Sequence, residues 1–247
     1  MKTLLIAATG AVLVGMSLAA CSSGPTGTPS AALTNAEGAP TNNRSYTAND
    51  IAGILKSVNT RLNLRGTVET QHGPQLQPID ALTAYLNEDK LTVVPAHCVG
   101  MLQTDTQAVG PLGTELVVAS VLSSPKLTIV ATAVHGAPIS VARIASWVST
   151  QQTVLNSCKQ TTIAATVDGE PASITVNYKP LAVNTTANAA IGFEESYAMV
   201  AGGGSSTSSG TTLEAIDGNL VIFVSSVTTP DTASLEKAVN AVVAAAK

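Results

Sequence analysis

The chain has 247 residues, a net charge of −4, 45% hydrophobic residues, 3% aromatic residues and only 11% charged side chains. Soluble domains usually carry about 25% charge, so this core must be built from Ala, Val, Leu and Ile, and its surface from Ser, Thr, Asn and Gln. An acidic chain with 12 Lys and Arg lacks the clustered cations that nucleic acid or anionic lipid requires.

Lys2 precedes an apolar run from Leu4 to Leu18, interrupted by Gly10 and Gly15. That is the build of a secretory signal, and it is too short to span a bilayer, which takes ~20 residues. The run ends in Leu18-Ala19-Ala20-Cys21, which resembles the lipobox of bacterial lipoproteins. The resemblance implies a signal peptide at 1–20, cleavage before Cys21, a diacylglycerol on its thiol and an acylated new N-terminus. The plainer alternative is an ordinary cleavable signal with a chance cysteine. Two or three acyl chains would anchor the protein to the membrane, whereas one is marginal. From Ser22 to Ser45 the chain is mostly Ser, Gly, Pro, Thr, Asn and Ala, with Leu33 the one sizeable apolar residue. Such a segment buries too little to offset its ordering entropy. Residues 21–46 are therefore expected to be a lipidated N-terminus and a disordered tether, and residues 47–247 one domain.

Within that domain Thr47 or Asn49 can cap a first helix. Ile51, Ile54, Leu55, Val58 and Leu62 share one helical face, and Gly66 is expected to end it. Residues 67–78 contain His72-Gly73-Pro74 and Pro78 and suggest a loop. Ile79, Leu82, Tyr85 and Leu86 suggest a short helix, and residues 96–108 another after Pro95. Two strand-like runs, 115–122 and 126–134, flank Ser123-Ser124-Pro125 as a hairpin. Val141, Ile144, Val148, Gln151, Leu155 and Cys158 mark one face of a helix at 139–159, with Trp147 alongside.

Strands at 161–167 and 172–183 flank Asp168-Gly169-Glu170-Pro171, and a strand at 193–201 follows. Gly202–Gly210 is all Gly, Ser and Thr and is expected to be a mobile loop. Strands at 213–216 and 220–227 flank Asp217-Gly218, a type I′ turn pair. Asp231 or Thr232 caps a last helix with Leu235, Ala238, Val239, Val242 and Val243 on its buried side. No internal repeat is visible. This order predicts an α+β domain, an antiparallel sheet with helices packed on one face.

With Cys21 assigned to lipid, Cys98 and Cys158 remain. In an exported protein two such cysteines usually pair. The bond would close a loop of about 60 residues and contribute about 4 kcal/mol in the chain-entropy model. The alternative is two buried free thiols, and the spacing excludes a C-x-x-C redox pair.

Lipobox, tether and a domain of about 200 residues together resemble a group of mycobacterial lipoproteins. Their domain is similar to the extracellular sensor domain of the mycobacterial serine/threonine kinase H. The matching pieces are Cys98, the strands at 115–134, Trp147, Cys158, Gly218-Asn219-Leu220-Val221 and the Ala-rich residues 231–246. The resemblance covers residues 47–247. It implies a sheet-lined cleft that binds an unidentified ligand, and no catalytic residues. Members often hold two disulfides where this chain can form one, and the gap from Trp147 to Cys158 is long for the group.

Catalytic motifs are missing from the sequence. There is no G-x-S-x-G elbow. Of two S-x-x-K matches, Ser123–Lys126 contains a proline and Ser234–Lys237 falls in the first turn of the last helix, where Ser serves local capping. His72, His97 and His135 are widely separated and do not suggest a zinc site, which needs about three convergent ligands. Glu88-Asp89 and Glu194-Glu195 are adjacent pairs that would face opposite ways in a strand, which makes them poor paired acids. Gly202-Gly203-Gly204 does not lead into the Lys-Ser/Thr of a phosphate loop. No cofactor or metal is expected. The nearly continuous apolar runs at 116–122 and 127–134 fit strands buried on both faces, or alternatively strands lining a greasy cavity. The sequence thus points to a non-catalytic, lipid-anchored protein on the extracytoplasmic face of the cell membrane, binding an envelope ligand or protein partner in a sheet-lined cleft. The competing reading is a lipid or glycolipid carrier.

Overall fold

The computed structural model describes residues 44–71, 91–101, 116–125, 127–134, 139–167, 170–226 and 232–247. The signal peptide, Cys21, the tether up to residue 43, the helix expected around Ile79–Leu86, Glu88-Asp89, His72 and His135 lie outside the described residues.

The elements run α1 (Ala48–Leu62), β1 (Thr67–Gln71), β2 (Leu91–Val94), a 3-10 helix (Ala96–Met101), β3 (Leu116–Ser123), β4 (Thr128–Val134), α2 (Val141–Ser157), β5 (Gln160–Val167), β6 (Glu170–Leu181), β7 (Ala189–Ala201), β8 (Gly204–Asp217), β9 (Leu220–Ser226) and α3 (Thr232–Ala246). The strands form one nine-stranded sheet in the order β1-β3-β4-β9-β8-β7-β6-β5-β2. Every neighbouring pair is antiparallel. The α+β class and the antiparallel sheet are as expected.

Side chains alternate between the two faces of a strand, and the register sorts them into two cores. Ile129, Ala131, Ala133, Leu213, Ala215, Leu220, Ile222 and Val224 face one side, where α1 and α3 bury Ile51, Leu55, Val58, Leu235, Val239 and Val242 against them. Val176, Tyr178, Ile191, Phe193 and Ile216 face the other side, beneath Ile144, Trp147, Val148 and Leu155 of α2. The helices therefore cover both faces, α1 and α3 one, α2 the other. Helix order along the chain does not encode this placement; strand parity does.

Local chemistry explains most of the boundaries. Thr47 caps α1, and its hydroxyl and the Asp50 carboxylate satisfy each other's backbone N–H. Asn63, in the left-handed conformation at φ 49°, ends α1 three residues before Gly66. Gly66 has a different task, because a Cβ there would lie 2.4 Å from the Ser123 carbonyl oxygen. Asn59 grips the Gly66 backbone through both its N–H and its C=O. Ser140 caps α2 by accepting from Arg143 N–H.

Other expectations need correction. Residues 67–71, expected in a loop, form β1 and pair with β3, with Val68 packed against the core. The turn residues just beyond masked a five-residue strand. Leu91–Val94 forms β2 on β5. Gly202–Gly210 is no loop: Gly202 and Gly203, both at positive φ, make a two-residue turn and Gly204 begins β8. Ser and Thr read as loop by composition, yet Thr is a good strand former and the β7 backbone pairs them throughout. The last hairpin turns on Gly218-Asn219, one residue later than expected, with Asp217 opposite Leu220. Gly218 alone there has positive φ, as a type II′ turn requires. Where their side chains are described, the apolar runs in β3 and β4 face both ways. Leu122, Ile129, Ala131 and Ala133 are buried under α1 and α3, while Val121 and Val130 are half-buried on the reverse.

Candidate functional site

Cys98 and Cys158 are bonded, with Cα atoms 5.8 Å apart and 60 residues between them in sequence. The bond ties the 3-10 helix after β2 to the C-cap of α2. His97, Cys98 and Cys158 lie close enough to suggest a metal trio, but both sulfurs are consumed by the bond. His97 instead approaches the Ser157 carbonyl at 3.4 Å. Of the motif at Ser123–Lys126, Lys126 lies outside the described residues, and the Ser124 hydroxyl donates to Leu127 O and accepts from Leu127 N–H.

Strand alternation separates the two adjacent glutamates as the sequence indicates, and their environments diverge. Glu194 points to the α1/α3 side and pairs in the open with Lys179 at 2.9 Å. Glu195 points to the α2 side, directly across from Tyr178 on β6. Tyr197, two residues on, shares that face and donates its hydroxyl to Glu195 Oε2 at 2.5 Å. Thr212 on β8 donates to Oε1 at 3.1 Å. Tyr178 meets Phe193 edge-on, with ring centres 5.9 Å apart. An acid and two phenols thus share a low-dielectric surface at the margin of the second core.

The electrostatics follow from burial. Loss of water raises the Glu195 pKa above its ordinary value, and the hydrogen bonds from Tyr197 and Thr212 oppose that shift. Burial, then the nearby Glu195 charge, pushes the phenols of Tyr178 and Tyr197 up, so both stay protonated, and Tyr197 is a fixed donor to Glu195. The cluster offers a carboxyl oriented by two hydroxyls and flanked by aromatic surface. Among the described residues no second acid and no nucleophile–base pair joins it. Its chemistry suits recognition of a hydrogen-bond donor. The sequence held a signal for it, since Glu-x-Tyr in a strand puts both side chains on one face; the partners Thr212 and Tyr178 depend on strand pairing.

A concavity between α2 and the sheet, lined by Gln152, Leu155, Asn156, Pro180, Ile191 and Gly192, has room for a water or two. That falls far below the space an acyl chain needs. No described helix is long and apolar enough to cross a membrane.

No family model matches the chain, and no curated protein matches it. Among solved structures it is similar to the extracellular domain of PknH from Mycobacterium tuberculosis, at 12% identity and a TM-score of 0.45, over 83% of this chain and 98% of that one. This is the domain that the sequence resembles. It is also similar to a putative uncharacterized protein, the Rv0999 ortholog from Mycobacterium smegmatis, at 13% identity and a TM-score of 0.40, over 79% of this chain and 96% of that one.

Proposed function

We propose that this is a non-catalytic cell-envelope protein, anchored by lipid on Cys21 at the extracytoplasmic face of the membrane, whose domain binds a ligand or protein partner on the sheet face beside α2. The observation that carries the reading is the half-buried Glu195 carboxyl, held by Tyr197 and Thr212 and flanked by Tyr178. A carboxyl kept partly out of water on a sheet face is costly unless partnered, and these hydroxyls leave it free to accept one more donor. The disulfide supports an exported setting, and the lipobox-like Leu18–Cys21 supports the anchor.

Native mass spectrometry of the full chain, gently released from its membrane, tests the binding arm. A polar adduct that survives in the parent chain and is lost in Glu195→Gln supports the site. Equal retention in both removes Glu195 from it, and a retained lipid of defined mass favours the carrier. The anchor has its own test. Cys21→Ser should accumulate as uncleaved precursor without labelled fatty acid, and normal processing of that variant would refute lipidation.

A further inference from the structure

Aromatic rings stand on three sides of Glu195. Strand alternation puts Phe193 and Tyr197, two residues away in either direction along β7, on its face. Register sets Tyr178 of β6 directly across from it. The chain has only two Phe, four Tyr and one Trp, yet three of these rings flank this one carboxyl. The fourth side differs, because the residue opposite on β8 is Gly210. With no side chain there, Glu195 lies across the strand, its Oε1 3.6 Å and its Cγ 3.8 Å from where a Gly210 Cβ would stand. The carboxyl thereby reaches Thr212.

Its donors are neutral. Oε2 accepts from the Tyr197 hydroxyl and Oε1 from the Thr212 hydroxyl. Among the described residues no Lys or Arg pairs with it: the ion pairs there are Arg44–Asp50 on α1 and Lys179–Glu194 on the opposite face of the sheet. Glu195 and Tyr197 each keep partial exposure, so the carboxyl can be reached from solvent.

A carboxylate offers about four lone-pair sites. One is taken on each oxygen, which leaves a site on each for a donor group that spans the two. A charge held partly out of water is costly until an opposite charge and further hydrogen bonds meet it. The complement of this site is therefore positive. A neutral hydroxyl or amide would supply bonds without the charge. A divalent metal would find one carboxylate where it takes several oxygen ligands. An ammonium is a compact, strongly hydrated point charge. A guanidinium is planar and more weakly hydrated, presents a fork that matches a carboxylate, and stacks on aromatic rings.

We propose that the group bound here is a guanidinium, carried by a small guanidino compound or by an arginine side chain of a partner protein. The proposal depends on the binding surface put forward above and narrows its ligand to one charge and one shape. In the complex two N–H groups meet Oε1 and Oε2, and the plane of the cation packs against the phenol rings.

Ethylguanidinium and ethylurea share a planar N–H fork and differ in charge. Titrated into the full-length chain in a neutral detergent, ethylguanidinium should shift the Glu195 carboxyl carbon and the Tyr197 ring signals with a midpoint about tenfold or more below that of ethylurea. Glu195→Gln keeps the size and one acceptor oxygen but loses the charge. Read at the Tyr197 ring, that variant should bring the two midpoints within about twofold of each other. Glu194→Gln, which removes a charge from the opposite face, should leave the preference intact. A blocked tripeptide with a central arginine separates the two sources. Binding about tenfold tighter than ethylguanidinium indicates a protein partner, and an equal midpoint indicates a small guanidino compound. Equal midpoints for ethylguanidinium and ethylurea in the parent chain, or a preference that survives Glu195→Gln, would overturn the proposal. Ethylammonium binding as tightly as ethylguanidinium would also overturn it, since charge without the fork would then suffice. The binding surface stands or falls separately: a polar adduct that native mass spectrometry finds in the parent chain and not in Glu195→Gln upholds it whatever these probes do.

Discussion

At the scale of single residues, two carboxyls show how placement sets protonation in opposite directions. Asp50 accepts from the Thr47 hydroxyl and backbone N–H, and these bonds, aided by Arg44, hold its pKa below the ordinary value. Stability from such a group is present above the ordinary carboxylate pKa and is lost as pH falls through the lowered one. Thr47→Ala should cost about 1 kcal/mol at neutral pH, and urea midpoints should show a smaller cost in strong acid. Glu195 behaves the other way. Burial raises its pKa above the ordinary 4.5, so the folded chain holds the proton more tightly than the unfolded chain. Its effect on stability is most favourable below 4.5 and is lost as pH rises through the folded-state value. Glu195→Gln should flatten that part of the stability–pH curve. Tyr197→Phe removes a bond that favours the charged form and should raise the Glu195 pKa further, as read by carboxyl carbon chemical shifts. The cap was legible in the sequence only as Thr47 or Asn49, and the structure selects Thr47 with Asp50 closing the box. The Glu195 cluster was legible only in half, because Thr212 arrives from another strand.

At the scale of elements, periodicity was a good guide wherever one face is buried. In α3, Leu235, Ala238, Val239, Val242 and Val243 are all buried as the spacing implied, with Ala241 and Ala246 beside them. Leu235→Ala should therefore cost ~2–5 kcal/mol in chemical denaturation, the range for emptying a packed leucine site. α2 turns Ile144, Trp147, Val148, Gln151 and Leu155 inward, whereas Val141, expected on the same face, is 37% exposed in the first turn. The strands that sequence reading missed are β1, β2 and the first half of β8. β8 begins as a two-sided polar ribbon without apolar alternation, so only its pairing to β7 defines it. Gly66 marks a contact that no local pattern reveals. The chain there packs so closely on β3 that Gly66→Ala should cost about 1–3 kcal/mol, the usual penalty for overpacking, measurable as a shift in urea midpoint with unchanged slope.

At the scale of the whole molecule, two cores share one sheet, and the Cys98–Cys158 bond holds the outer strand β2 and its 3-10 helix to the second of them. Reduction, or Cys158→Ser, should lower stability by up to about 4 kcal/mol, with the loss read from denaturation curves taken with and without reductant. Hydrogen exchange should rise first in β2 and the end of α2, where the constraint acts, and least in α3. The sequence by itself determined the three described α-helices, most hairpins, the α+β class and the cysteine partners, because each rests on local periodicity, turn chemistry or a count of residues. Only the tertiary structure decided which face each helix covers, that Glu195 leaves water while Glu194 stays in it, and that a Ser/Thr ribbon is a strand paired to β7. Those outcomes depend on strand register, and register is a relation between segments that are distant along the chain.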